Sequence, residues 1–208
     1  MIVVEDPSPS EASDGFAAGG FFWFRADDAG RFDPVTVVVV GDGGQVDAEW
    51  MAAVVEHCAQ GLALLERLDP SGFDADTTTA WAKGVEQLRR QAAAAGVAVA
   101  DHLDTATPFK DLGFFTAKQW MTHHLQLSGA EAYGRVQEAR LRQAVGVWNN
   151  ALAGGQVGVA QTRLMARIAA NPRIDPDVLT AGVWNLMAEA MDVSYIEFER
   201  RALTWEAL

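Results

Sequence analysis

Between Phe115 and Leu208 the chain carries one pattern twice, and that repetition constrains the fold more than any other feature. The first copy runs Trp120-Met-Thr-His-His-Leu-Gln-Leu-Ser128-Gly-Ala-Glu131-Ala and continues to Arg135, Arg140 and Arg142. The second runs Ala151-Leu-Ala-Gly-Gly-Gln-Val-Gly-Val-Ala-Gln-Thr-Arg163-Leu-Met-Ala-Arg167-Ile. Each reads as a short helix, a turn and a long helix. Ser128-Gly-Ala-Glu131 has the spacing of a capping box, in which hydroxyl and carboxylate satisfy each other's backbone N–H groups. Gly154-Gly155 ends one helix before another opens near Val157. Asp175-Pro176-Asp177 places a cap before a proline at the first helical position, and Leu179, Val183, Leu186 and Ala190 follow at helical spacing. Ser194-Tyr-Ile-Glu197 repeats the capping-box spacing, and Tyr195, Phe198, Ala202 and Trp205 continue the apolar stripe.

The segment before this is also helical in pattern. Asp47 is suited to capping, and Met51, Val55, Cys58, Leu62 and Leu65 step by four and three until Asp69-Pro70-Ser-Gly72 stops the run. A second helix opens around Thr77–Thr79 and repeats the spacing at Trp81, Val85, Leu88, Ala92, Ala95 and Val99. Two heptad stripes joined by a short loop predict an antiparallel helical hairpin, serving as a packed core or as a dimerisation seam. Close backbone approach would account for Gly61, Gly84 and Gly96 within these helices. Thr107-Pro108 breaks the chain. Residues 1–46 differ: Phe21–Phe24 and Val35–Val40 are β-prone, so this segment is either a small β-hairpin or poorly ordered. The expected fold is all-α, with segments 1–46, 47–106 and 107–208: a heptad-patterned hairpin, then a bundle of helix-turn-helix-like units.

No apolar run among the 208 residues approaches the roughly 20 needed to span a membrane. The start, Met1-Ile-Val-Val-Glu5-Asp6, lacks the basic region of a secretory signal. Cys58 is the single cysteine, which excludes a disulfide framework and points to the cytoplasm. The net charge of −12 is unevenly spread. Residues 1–105 hold six Lys/Arg against eighteen Asp/Glu, whereas 106–208 hold ten of each. Within 132–174, six arginines meet the single acid Glu138. Such asymmetry speaks to partners.

Few residues are arranged for chemistry. His123 and His124 are adjacent, so on a helix they point about 100° apart and cannot share a metal ion. His57 and His102 are isolated, and Cys58 reads as a small buried hydrophobe. Glu197 and Glu199 flank opposite sides of their helix. Gly41-Asp-Gly-Gly44 lacks the Lys-Ser/Thr of a phosphate-binding loop. The tryptophans at 120, 148, 184 and 205 occupy helical core positions. Arg163 and Arg167 lie four apart on one helix face, and Arg135 and Arg142 seven apart on the preceding helix. Two such pairs on successive capped helices suit phosphate contact, with Arg140 secondary.

Trp120, Leu127-Ser-Gly-Ala-Glu-Ala132, Arg135-Val, Ala139, Ala151-Leu-Ala-Gly-Gly155-Gln-Val, Gln161 and Ile168-Ala together resemble the domain of unknown function 222. That domain is common in actinobacterial proteins that often end in an HNH endonuclease domain. The resemblance is clear over 112–208 and extends toward 47. It implies an all-helical module that precedes a nuclease. An HNH site needs a histidine base and metal-holding residues, and no histidine follows His124. No nuclease residue therefore carries over, and the resemblance implies the N-terminal module alone, or a truncated or split product.

The sequence thus leads to a non-catalytic helical module, without cofactor or metal, that positions duplex DNA or a nuclease through Arg135, Arg140, Arg142, Arg163 and Arg167. The alternative is a protein–protein scaffold that dimerises or docks a partner through the 47–103 hairpin, whose acidic half suits that role.

Overall fold

The computed structural model describes the backbone at residues 3–4, 21–26 and 32–38 and from 48 to 207, with side chains from Met51 onward. The chain is all-α apart from a small N-terminal sheet, and it divides into two compact units at Asp69/Pro70.

The first unit holds β1 (Val3–Val4), β2 (Phe21–Ala26), β3 (Phe32–Val38) and α1 (Ala48–Glu66). β2 and β3 pair antiparallel from Phe21↔Val37 to Ala26↔Phe32, which is the hairpin the β-prone runs suggested. β1 adds to the other edge of β3, through Val3↔Val38 and Val4↔Val37. This third strand is not among the expectations from the sequence. Asp47, as a cap, and the Gly41–Gly44 run lie outside the described residues.

The second unit opens with a 3₁₀ turn at Pro70–Gly72, as Asp69-Pro70-Ser-Gly72 foretold. It continues with α2 (Ala75–Ala106), α3 (Ala117–His124), α4 (Gly129–Ala144), α5 (Gly146–Ala153), α6 (Val159–Ala169), α7 (Pro176–Asp192) and α8 (Tyr195–Glu206). α2 starts earlier than Thr77–Thr79, because Asp74 is the cap: its carboxylate accepts from the Thr77 N–H at 2.7 Å. It ends where Thr107 turns left-handed (φ 50°) ahead of Pro108. At α4 the capping box is complete, with Ser128 N to Glu131 Oε2 at 3.0 Å and Glu131 N to Ser128 Oγ at 3.2 Å. Asp175 caps α7 through the Asp177 N–H at 2.8 Å. The second box is only half made. Ser194 accepts from the Glu197 N–H, but the Glu197 carboxylate turns to Arg200 and Arg201. Those two guanidinium groups hold Glu197 down to about 2.

The end of α5 is secured from another helix. Gly155 takes φ 74°, and Arg90 Nη1 of α2 donates to its carbonyl at 2.5 Å while Gln87 Nε2 donates to Ala153 O at 3.2 Å. These bonds satisfy carbonyls that a helix end leaves without partners. A β-carbon at position 155 would overlap the Gln87 amide, so glycine is required twice over.

α2 packs along α4 and α5, and α4 packs on α3 and α6. The larger core gathers Trp148, Leu152, Met165, Ile168, Val183 and Phe198; a second gathers Leu103, Phe109, Met121, Ala132, Val136 and Ala139. On α7, Leu179, Val183, Leu186 and Ala190 are buried, as their spacing indicated.

Four expectations differ from the structure. The buried face of α2 is Ala94, Val97, Ala100 and Leu103, not Ala92, Ala95 and Val99, which are exposed. An alanine-rich run looks alike from every side, so its stripe carries no direction. Trp184 is exposed rather than core, because it lies on the side of α7 away from the buried Leu179, Val183, Leu186 and Ala190; Trp148 is fully buried, and Trp120 and Trp205 are half-buried. Cys58 is half-buried, as no residue from Met51 to Glu66 is buried. Of the α2 glycines, Gly96 does meet a close neighbour, the Arg135 guanidinium, whereas Gly84 faces open space.

Candidate nucleic-acid interface

The candidate arginines leave two packed helices, Arg135, Arg140 and Arg142 from α4 and Arg163 and Arg167 from α6. What they meet is set by the helices beside them. α2 brings two carboxylates to α4: Arg142 Nη1 lies 3.6 Å from Asp101 Oδ2, and Arg140 Nε lies 3.4 Å from Asp104 Oδ2. Gln143 Nε2 donates to Asp101 Oδ1 at 2.8 Å, so Asp101 is held from two sides.

Arg163 meets α4. Its Nε lies 3.4 Å from Glu138 Oε1, and the Glu138 side chain is buried while that of Arg163 stays 63% exposed. Burial pushes the Glu138 carboxyl above its ordinary value, against the pull of Arg163 and Arg135. Arg135 lies over Gly96, where a β-carbon would overlap its Nη1; Glu131 is held low first by its hydrogen bonds with Ser128, and the Arg135 charge adds to that. Among the described residues, no ion pair joins Arg135 or Arg167 to a carboxylate.

Arg135, Arg140, Arg142 and Arg163 therefore share their surroundings with Asp101, Asp104, Glu131 and Glu138. The excess of positive charge seen along 132–174 is mostly cancelled in three dimensions, since Asp101 and Asp104 come from α2 and Glu131 lies just ahead of that window. Exposed pairs are individually weak, about 0–1 kcal/mol, so a phosphate could displace one. It would then face the released carboxylate at close range, and that repulsion offsets the gain from releasing counterions. The two acids on α2 are not evident from the sequence, because the heptad pattern groups their helix with the preceding one. The three-residue spacing of Asp101 and Asp104, which puts both on one helix face, was the available signal.

The histidines form a ring cluster instead of a metal site. His123 and His124 stand edge to face with centroids 4.9 Å apart; Phe114 lies 5.4 Å and 5.3 Å from them, and Trp120 lies 4.8 Å from His124. Beside them an open hollow of 490 Å³ is lined by Lys118, Gln119, Thr122, His123 and Gly129. His57 Nδ1 lies 2.9 Å from the Ala53 carbonyl one turn back. Among the described residues no group of three or more His, Cys, Asp or Glu side chains is placed to hold a metal ion, and no helix is long and apolar enough to cross a membrane.

Compared with known proteins, the chain matches no family model, no curated protein and no solved structure.

Proposed function

We propose that this chain is a non-catalytic helical interaction module, working in the cytoplasm, whose partner is protein and whose first contact is a second copy of itself through α1. The observation that carries this reading is the commitment of Arg140, Arg142 and Arg163 to Asp104, Asp101 and Glu138. A surface so neutralised offers duplex DNA little net charge. On α1, by contrast, Met51, Val55 and Leu62 are exposed on a stripe with the four-and-three spacing of a two-helix seam. The positions that flank such a seam are Ala52, Val54, Ala59 and Gly61, with one charge at the end, Glu66. Like-charge repulsion between copies is therefore small along most of its length.

Light scattering across a concentration series tests this. A dimer that dissociates in Leu62→Lys supports α1 as the seam, and a monomer at every concentration removes it. Fluorescence anisotropy with labelled duplex DNA runs alongside, at low and physiological salt.

A second reading keeps the nucleic-acid role. It rests on Arg135 and Arg167, which have no carboxylate in ion-pair contact among the described residues, and on the resemblance to the helical region that precedes HNH endonucleases. Salt-sensitive DNA binding that disappears in Arg163→Glu/Arg167→Glu would favour it over the protein partner.

A further inference from the structure

We propose that the outer face of α7 is a docking surface for a basic amphipathic helix. α7 buries Leu179, Val183, Leu186, Met187 and Ala190 against the core. The opposite side carries an apolar stripe as well, with Thr180 and Asn185 exposed at its margins. Val178, Trp184 and Met191 are 55%, 58% and 51% exposed, and Ala181 and Ala188 between them are exposed too. The steps 178, 181, 184, 188 and 191 follow one face of a helix. A helix with apolar stripes on two opposite sides normally has protein against both, and a half-exposed tryptophan flanked by alanines has the make-up of an interface anchor.

Charge selects the occupant. Every charged residue of α7 is an acid: Asp177 at the start, Glu189 and Asp192 at the end; Glu189 is paired with Arg201 of α8 at 3.8 Å, which leaves Asp177 and Asp192 to meet a partner. Asp177 and Asp192 fall on the same side as the exposed stripe by helical spacing. A second α7 laid antiparallel would set Asp177 against Asp192, and a parallel one would set each Asp against its twin. Both arrangements bring like charges together. α1 of this chain carries Glu49, Glu56 and Glu66 and no Lys or Arg, so it has the same sign. A helix whose apolar stripe is bordered by Lys or Arg meets apolar with apolar and places its cations at the two acidic ends.

This surface is distinct from the α1 seam and does not depend on it. The test uses the full chain and three labelled peptides of about five helical turns. One has Leu at helical spacing with Lys elsewhere, one has the same Leu positions with Glu, and one is a scrambled Leu/Lys control. Fluorescence anisotropy should show saturable binding of the Leu/Lys helix, at least ~10-fold weaker for the Glu and scrambled peptides. Trp184→Gln should weaken it by at least ~10-fold, and Ala188→Arg should do the same through repulsion. Both substitutions are at exposed positions, and a circular dichroism melt checks that the fold is kept. Equal binding by the Trp184→Gln chain, or equal binding of the scrambled peptide, overturns the proposal. So does a dimer, seen by light scattering, that is lost in Trp184→Gln, since a second copy would then be the occupant.

Discussion

The indole N–H of Trp148 donates to Thr162 Oγ1 at 3.1 Å, and the same hydroxyl donates to the Gly158 carbonyl at 3.1 Å. One threonine thus satisfies a buried tryptophan on α5 and the start of α6. Gln161 completes the joint: its Oε1 accepts from the Gly158 N–H at 2.6 Å, and its Nε2 donates to Ala190 O of α7 at 2.6 Å. Glycine has no side chain to accept from the Gln161 N–H, so only the reciprocal half of a capping box is made, Gln161 back to the Gly158 N–H.

Removal of that hydroxyl should be costly. Thr162→Val keeps the shape and strands the Trp148 N–H in a site with no water access. Urea denaturation should show a loss of about 1–3 kcal/mol, while Thr162→Ser retains most of the stability. Equal stability of wild type and Thr162→Val would mean that the indole finds another partner.

Glu138 gives the fold a pH dependence of its own. Burial raises its carboxyl above the ordinary value of 4.5 in the folded state. Its favourable contribution is therefore fully present below 4.5 and is lost as pH rises through the folded value. Glu138→Gln removes that loss and keeps a hydrogen-bond acceptor for Arg163. The stability of the variant relative to wild type should rise from pH 4 toward pH 8, with denaturant midpoints as the measurement. A difference that stays flat, or falls, contradicts the assignment.

The arginine pairs predict a small response to DNA. Anisotropy at low salt should show at most weak duplex binding, and Asp101→Asn/Asp104→Asn should strengthen it by freeing Arg140 and Arg142. If the wild type already binds tightly, with a steep salt dependence, the pairs do not neutralise the surface.

The caps should behave locally. Ser128→Ala removes the hydroxyl that the Glu131 N–H uses, for a loss of about 1 kcal/mol in chemical denaturation. Trp184→Gln, at an exposed site, should stay within about 0.5 kcal/mol of wild type. A large loss in Trp184→Gln would show that the residue is packed in the folded protein.

Much of the fold could be read from the sequence because its determinants are local. Asp175-Pro176 and Ser128 to Glu131 act within four residues, so the starts of α7 and α4 follow from spacing alone. The buried stripe of α7 was legible because Leu179, Val183 and Leu186 are large. The stripe of α2 was not, since alanines at 92, 94 and 95 offer no contrast in size. The candidate site was the least legible part. Its arginines were evident, but their partners Asp101 and Asp104 lie some forty residues away on another helix.

The sequence by itself determined the helices, their caps and breaks, and a neutral second half within an acidic chain, because hydrogen bonds between near neighbours and side-chain periodicity decide those. Tertiary structure alone decided which face of α2 is buried, that Trp184 points outward, and that Arg140, Arg142 and Arg163 are matched by carboxylates. Those outcomes depend on which helices lie side by side, and Coulomb attraction and packing act on distances in space rather than along the chain.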